Sequence, residues 1–124
     1  MSNFRKTAFV ILFAVFSFSG FSQEKEENKT LHHVLLIQWS EGHDTAIKDQ
    51  VLGLFQGLPA KVEGLESFTI KKVEKSSGGF HDTLRFEFTS VAALEAYDVH
   101  PDHEKVKQLA PSIISGFAEY DYWD

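Results

Sequence analysis

Two periods of apolar residues run through positions 31–124. HHVLLIQW, residues 32–39, is a nearly continuous apolar run with β-branched members. Such a run predicts a strand buried on both faces. SEGHD then turns the chain, and Asp44 is a suitable N-cap. Ile47, Val51, Leu54, Phe55 and Leu58 recur at helical spacing and predict an amphipathic helix ending near Gly57 to Pro59. Alternation resumes between Leu65 and Lys75, with Phe68 and Ile70 on one face and Val73 on the other. After the turn SSGGF, residues 76–80, HDTLRFEF alternates strictly. Leu84, Phe86 and Phe88 share one face, and Thr83, Arg85 and Glu87 the other. Thr89 or Ser90 caps a helix whose stripe is Val91, Leu94 and Tyr97. His100-Pro101 breaks it, and Pro101 opens a second helical piece with acids in its first turn. Pro111 bends or restarts that piece, and FAEYDYWD, residues 117–124, alternates as a closing strand.

The order β-α-β-β-α-(α)-β is the ferredoxin-like split βαβ plan, an α+β fold with an antiparallel sheet and helices on one face. It leaves the other sheet face bare. For strands this rich in Phe and Leu, the simplest cover is a second copy of the chain, so a homodimer is expected.

Residues 1–30 read differently. Arg5 and Lys6 precede an apolar stretch, TAFVILFAVFSFSG, and Gly20 and Ser22 suit the small-residue pattern before a cut. The uninterrupted run Ala8 to Phe16 is too short to span a bilayer. Residues 1–22 are therefore expected to be a signal peptide cut before Gln23, with an uncleaved anchor as the alternative. Residues 23–30, containing EKEENK, form a polar linker, and residues 31–124 the domain. The mature protein is expected in the periplasm or outside the cell, with no stable membrane anchor after cleavage. There is no cysteine, which excludes disulfides and a lipidated-cysteine anchor. Loss of residues 1–22 moves the formal charge from −6 to −8. So acidic a domain is a poor partner for nucleic acid, because little in it neutralises phosphate.

The candidate chemistry lies in AYDVHPDHEKV, residues 96–106. His100 and His103 have the spacing of a metal pair, but Pro101 puts His100 at an N-cap, so the rings need not converge. No third ligand is fixed, so neither a metal nor a cofactor is expected. His103 at the third helical position feels the positive end of the helix dipole, which favours neutral imidazole. Beside the Tyr97 phenol it would make a proton-transfer pair. If the first strand turns His33, Leu35 and Ile37 toward the helices, His33 joins them, and Leu84 and Phe86 supply apolar walls. Such a pocket suits a flat hydrophobic molecule with a carbonyl, and proton abstraction or an aldol-type cyclisation. The same residues also fit a purely structural corner, with His100 as cap, Pro101 fixing the turn and His103 tying the helix to the first strand. His32, His43 and His81 read as surface or loop residues, and Tyr122-Trp123 as sheet and dimer packing. Lys71, Lys72 and Lys75 read as a solvated strand edge.

LHHVLLIQW, TLRFEFTSVAALEAY, the HPDH motif and the end FAEYDYWD together resemble the stress-responsive A/B barrel (Dabb) family across Leu31 to Asp124. The resemblance implies a dimeric α+β barrel, two ferredoxin-like sheets closed against each other, in a family mostly without assigned activity. In a plant polyketide cyclase of this shape the catalytic tyrosine and histidine fall on Tyr97 and His103, and a supporting histidine on His33. The chain departs from that enzyme at Asp82, where the cyclase has a histidine and where His81 stands alongside here. It also departs in the pocket-lining residues of the first helix and in reading as exported. From the pocket residues, the expected function is binding of a small hydrophobic molecule, with a cofactor-free cyclase or lyase using the Tyr/His pair as the alternative. Fold alone also permits a haem- or quinone-modifying enzyme.

Overall fold

The computed structural model describes residues 28–124. The expected signal segment, residues 1–22, and residues 23–27 of the linker lie outside them. Strand β1 (Leu31–Trp39) is followed by α1 (Thr45–Gly57), a 3-10 turn (Leu58–Ala60), β2 (Leu65–Lys72) and β3 (Asp82–Phe88). Then come α2 (Val91–Asp98), α3 (Pro101–Leu109), a second 3-10 turn (Ala110–Ser112) and β4 (Ile114–Trp123). The sheet order is β2-β3-β1-β4, antiparallel at every pairing, which is the ferredoxin-like topology expected from the element order.

Local chemistry sets most of the boundaries. Asp44 Oδ1 accepts from the backbone N–H groups of Ala46 at 2.9 Å and Ile47 at 3.2 Å, satisfying two orphan donors of α1. Ser90, not Thr89, caps α2, its Oγ accepting from Ala93 N at 3.1 Å. His100 Nδ1 accepts from Asp102 N at 3.0 Å, so this histidine is the N-cap of α3, with Pro101 in the first turn. Pro111 lies in the short 3-10 turn that closes α3. β4 begins at Ile114, three residues before the alternation read from FAEYDYWD, and β2 stops at Lys72, leaving Val73 outside the strand. Gly64, at φ +88°, allows the chain to pass under α2. A Cβ there would meet Ala93 Cβ at 2.6 Å.

The core lies between the sheet and the helices. Leu84, Phe86 and Phe88 of β3 all face it, with Val51 and Phe55 of α1, Tyr97 of α2 and Val106 of α3. The β1–β3 register sets His33 opposite Phe86 and Leu35 opposite Leu84, so His33, Leu35 and Ile37 point to the helices as alternation requires. The other face carries Arg85 and Glu87 at 3.5 Å, and Tyr120 and Tyr122, which are 52% and 40% exposed. His32 lies on that face too, but it is not the surface residue expected. It is 6% exposed because the Tyr122 ring lies flat over it, centroids 4.6 Å apart and planes 7° apart.

Candidate functional site

The break between α2 and α3 builds the site. Tyr97 is in the last turn of α2, and His103 is in the first turn of α3. His100 N–H donates to Tyr97 O at 3.1 Å, which folds the corner tightly. The last carbonyls of α2 need partners that its own helix cannot supply. His103 Nδ1 lies 2.9 Å from Asp98 O, and Lys107 Nζ reaches the same oxygen at 3.2 Å. A carbonyl only accepts, so Nδ1 carries the proton and Nε2 of the neutral ring keeps its lone pair.

The two rings then stack, with centroids 4.3 Å and planes 24° apart. This differs from an in-plane phenol–imidazole hydrogen bond. The Tyr97 hydroxyl is buried and bonds to nothing among the described residues. Below Tyr97 lies Phe86, with centroids 4.9 Å apart, and Phe88 at 5.4 Å. His33 presents its ring to Tyr97 at 5.7 Å and 61°. The site triad read from the sequence, Tyr97, His103 and His33, is thus gathered at one place.

Burial pushes the Tyr97 hydroxyl far above the ordinary phenol range, and the carboxylates of Asp98, Glu119 and Asp121 push it the same way. The phenol therefore stays protonated and is a hydrogen-bond donor at any ordinary pH. His103 moves in the opposite direction. Burial lowers its pKa from the usual value, the Asp98 carbonyl opposes the shift, and the Lys107 ammonium adds to it. Desolvation is thus the first cause of its lowered pKa.

These residues line a cavity of about 1080 Å3 between the sheet and the helices. Leu35, Ile37 and Leu84 line it, as do His33, Tyr97 and His103. Phe86 does not. It is fully buried beneath Tyr97, between Phe55 at 5.2 Å and Phe68 at 4.8 Å, and is part of the core rather than a wall. Val99 and Phe117 stand at the cavity's edge, 70% and 61% exposed.

Two carboxylates escaped the sequence reading. Asp121 of β4 lies opposite His33 in register, and its Oδ1 is 2.5 Å from His33 Nδ1. Glu119, opposite Leu35, has Oε2 3.8 Å from His33 Nε2. The signal was present: Phe117, Glu119 and Asp121 alternate onto one face of the last strand. His100 is spent on its cap, and no group of three or more potential metal ligands comes together among the described residues.

The family model described as the Stress responsive A/B Barrel Domain matches residues 31–124. No curated protein matches the sequence. Several solved structures share the fold. A Dabb family protein with a ferredoxin-like fold from Mesorhizobium loti is 20% identical, with TM-score 0.63, over 77% of this chain and 96% of that one. A hydroxynitrile lyase from Passiflora edulis is 16% identical, with TM-score 0.66, over 77% of this chain and 93% of its own. A dimeric ferredoxin-like protein of unknown function from Bacteroides fragilis is 20% identical, with TM-score 0.58, over 75% and 94%. At these identities the likeness speaks for the fold alone.

Proposed function

The chain belongs to the stress responsive A/B barrel domain family, and on that premise we propose that it is an exported homodimer binding a small hydrophobic molecule between its sheet and helices. The observation that carries the ligand reading is the Tyr97 hydroxyl, buried and unpartnered in a residue that lines an apolar cavity. A buried hydroxyl left without a partner costs about 1–3 kcal/mol. A ligand carbonyl or hydroxyl oxygen would remove that cost. His103 Nε2, with its lone pair free, would accept a proton or hydrogen bond from the same molecule.

The dimer reading rests on the sheet face with Tyr120 and Tyr122 exposed, and on dimeric fold neighbours. The export reading rests on the basic and apolar leader at Arg5 to Ser22. Titration with a neutral aryl ketone such as acetophenone tests the ligand reading. Wild-type protein should bind it, with the carbonyl shifted in the infrared by the Tyr97 hydrogen bond. Equal affinity and an equal carbonyl frequency in Tyr97→Phe would count against it.

One observation favours a second reading, a cofactor-free lyase or cyclase. The environments of Tyr97 and His103 push their pKa values apart, one up and one down. That separation is the mark of a pair with distinct donor and acceptor roles. His103 would take a proton from a hydroxyl or from a carbon beside a carbonyl, while Tyr97 holds the oxygen on which charge develops. A hydroxynitrile lyase from Passiflora edulis shares the fold, which supports a lyase reading. The assay is release of benzaldehyde and cyanide from mandelonitrile. Rates above buffer that vanish in His103→Gln support this reading, and rates equal to buffer oppose it for that substrate.

A further inference from the structure

The cavity has a polarity gradient along its length. Its floor runs along β1 from His33 to Trp39, about 20 Å at the usual strand rise. At the Trp39 end the lining includes Ile114, Ala110 and Pro111. At the His33 end the neighbouring strand presents Glu119 and Asp121.

The charges on the lining are unequal. Three carboxylates line it, Glu95, Asp98 and Glu119, against one ammonium, Lys107. Lys107 is already spent, with Asp98 Oδ1 at 3.4 Å and Glu104 Oε1 at 3.1 Å. Glu95 has no ion-pair partner among the described residues, and the nearest cationic candidate to Glu119 is His33 at 3.8 Å. The lining therefore carries more carboxylates than ammonium groups, with Glu119 at the His33 end and Trp39 and Ile114 toward the other. The second, independent pointer to a ligand is the Tyr97 hydroxyl, wholly buried without a partner among the described residues.

We propose that the cavity selects an apolar molecule carrying a cationic nitrogen, its head drawn to the lining carboxylates, Glu119 first among them, and its apolar body laid along β1 toward Trp39. The inference rests on the cavity being the ligand site and adds the charge class of the ligand. The carboxylates near Tyr97 also oppose its ionisation, which is the same field acting on a group the protein itself supplies. An anionic head would meet that field unfavourably. The net charge of −6 adds attraction at longer range for a cation.

The experiment is calorimetric titration of the full chain with three probes of equal tail: decylamine, 1-decanol and decanoate, at neutral pH and low salt. The expected order is amine, then alcohol, then carboxylate. The amine should lead the alcohol by roughly threefold or more, the scale of partly exposed ion pairs. Glu119→Gln and Glu95→Gln should each bring the amine-to-alcohol ratio down, and added salt should do so in the wild type. Melting curves of both variants check that they remain folded. Decanoate binding as tightly as decylamine overturns the proposal. Alcohol binding with no preference for the amine overturns it while leaving the cavity as a ligand site. Binding of none of the three probes overturns both.

Discussion

Tyr97 and His103 stack face to face across a proline corner, 4.3 Å between ring centroids. The contact orients each polar group independently. His103 is held by Asp98 O through Nδ1. Tyr97 is held by aromatic neighbours on its ring, and its hydroxyl by nothing among the described residues. That asymmetry separates the two residues experimentally.

Tyr97→Phe removes a buried hydroxyl that has no partner while keeping the ring. Stability should stay level or rise by up to about 1 kcal/mol. Denaturant unfolding measures it. A clear loss of stability would mean that the hydroxyl has a structural bond.

His103→Ala should cost more, because it deletes both the stack and the bond to Asp98 O. The expected loss is about 1–3 kcal/mol. His103→Gln should recover part of it if the amide reaches Asp98 O. A His103→Ala variant as stable as wild type would show that the corner holds without the histidine.

The pH dependence follows from the depressed pKa of His103. The folded state holds this proton less tightly than the unfolded chain. Between the lowered value and the usual value near 6.5, the unfolded chain binds more protons, so stability rises with pH there. The contribution is complete above the usual value and is lost as pH falls through it toward the folded pKa. Melting temperature should therefore fall on acidification below about pH 6.5, and less steeply in His103→Gln. Parallel curves for the two proteins would assign the acid sensitivity to other groups.

Phe86 is fully buried among Phe55, Phe68, Phe88 and Tyr97. Phe86→Ala should cost about 3–5 kcal/mol, the range for emptying a packed aromatic position. Chemical denaturation measures it, and a loss well below about 2 kcal/mol would contradict a fully packed position.

The features legible in the sequence are those set by neighbours along the chain. Alternation in β3 assigns Leu84, Phe86 and Phe88 to one face, and Asp44 and Pro101 mark helix starts through bonds or geometry within a few residues. The site triad follows for the same reason: Tyr97 and His103 flank one corner, and His33 is turned inward by the parity of β1. What stayed hidden depends on register or on packing between distant elements. Asp121 meets His33 only through the β1–β4 pairing, across 88 positions. His32 is covered by Tyr122 through that same pairing. Phe86 and Leu84 share a face and are both buried in the core, but Tyr97 packs on Phe86, and of the two only Leu84 also lines the cavity.

On the proposed function, the cavity holds a small apolar molecule against Tyr97 and His103. The most direct test is mass spectrometry of the solvent extract from protein purified from its native host, beside a Leu94→Trp variant that fills part of the cavity. One apolar compound near one equivalent per chain is expected in the wild type, and its loss from the folded variant. An extract with no such compound, or the same compound at equal yield from both proteins, would contradict it.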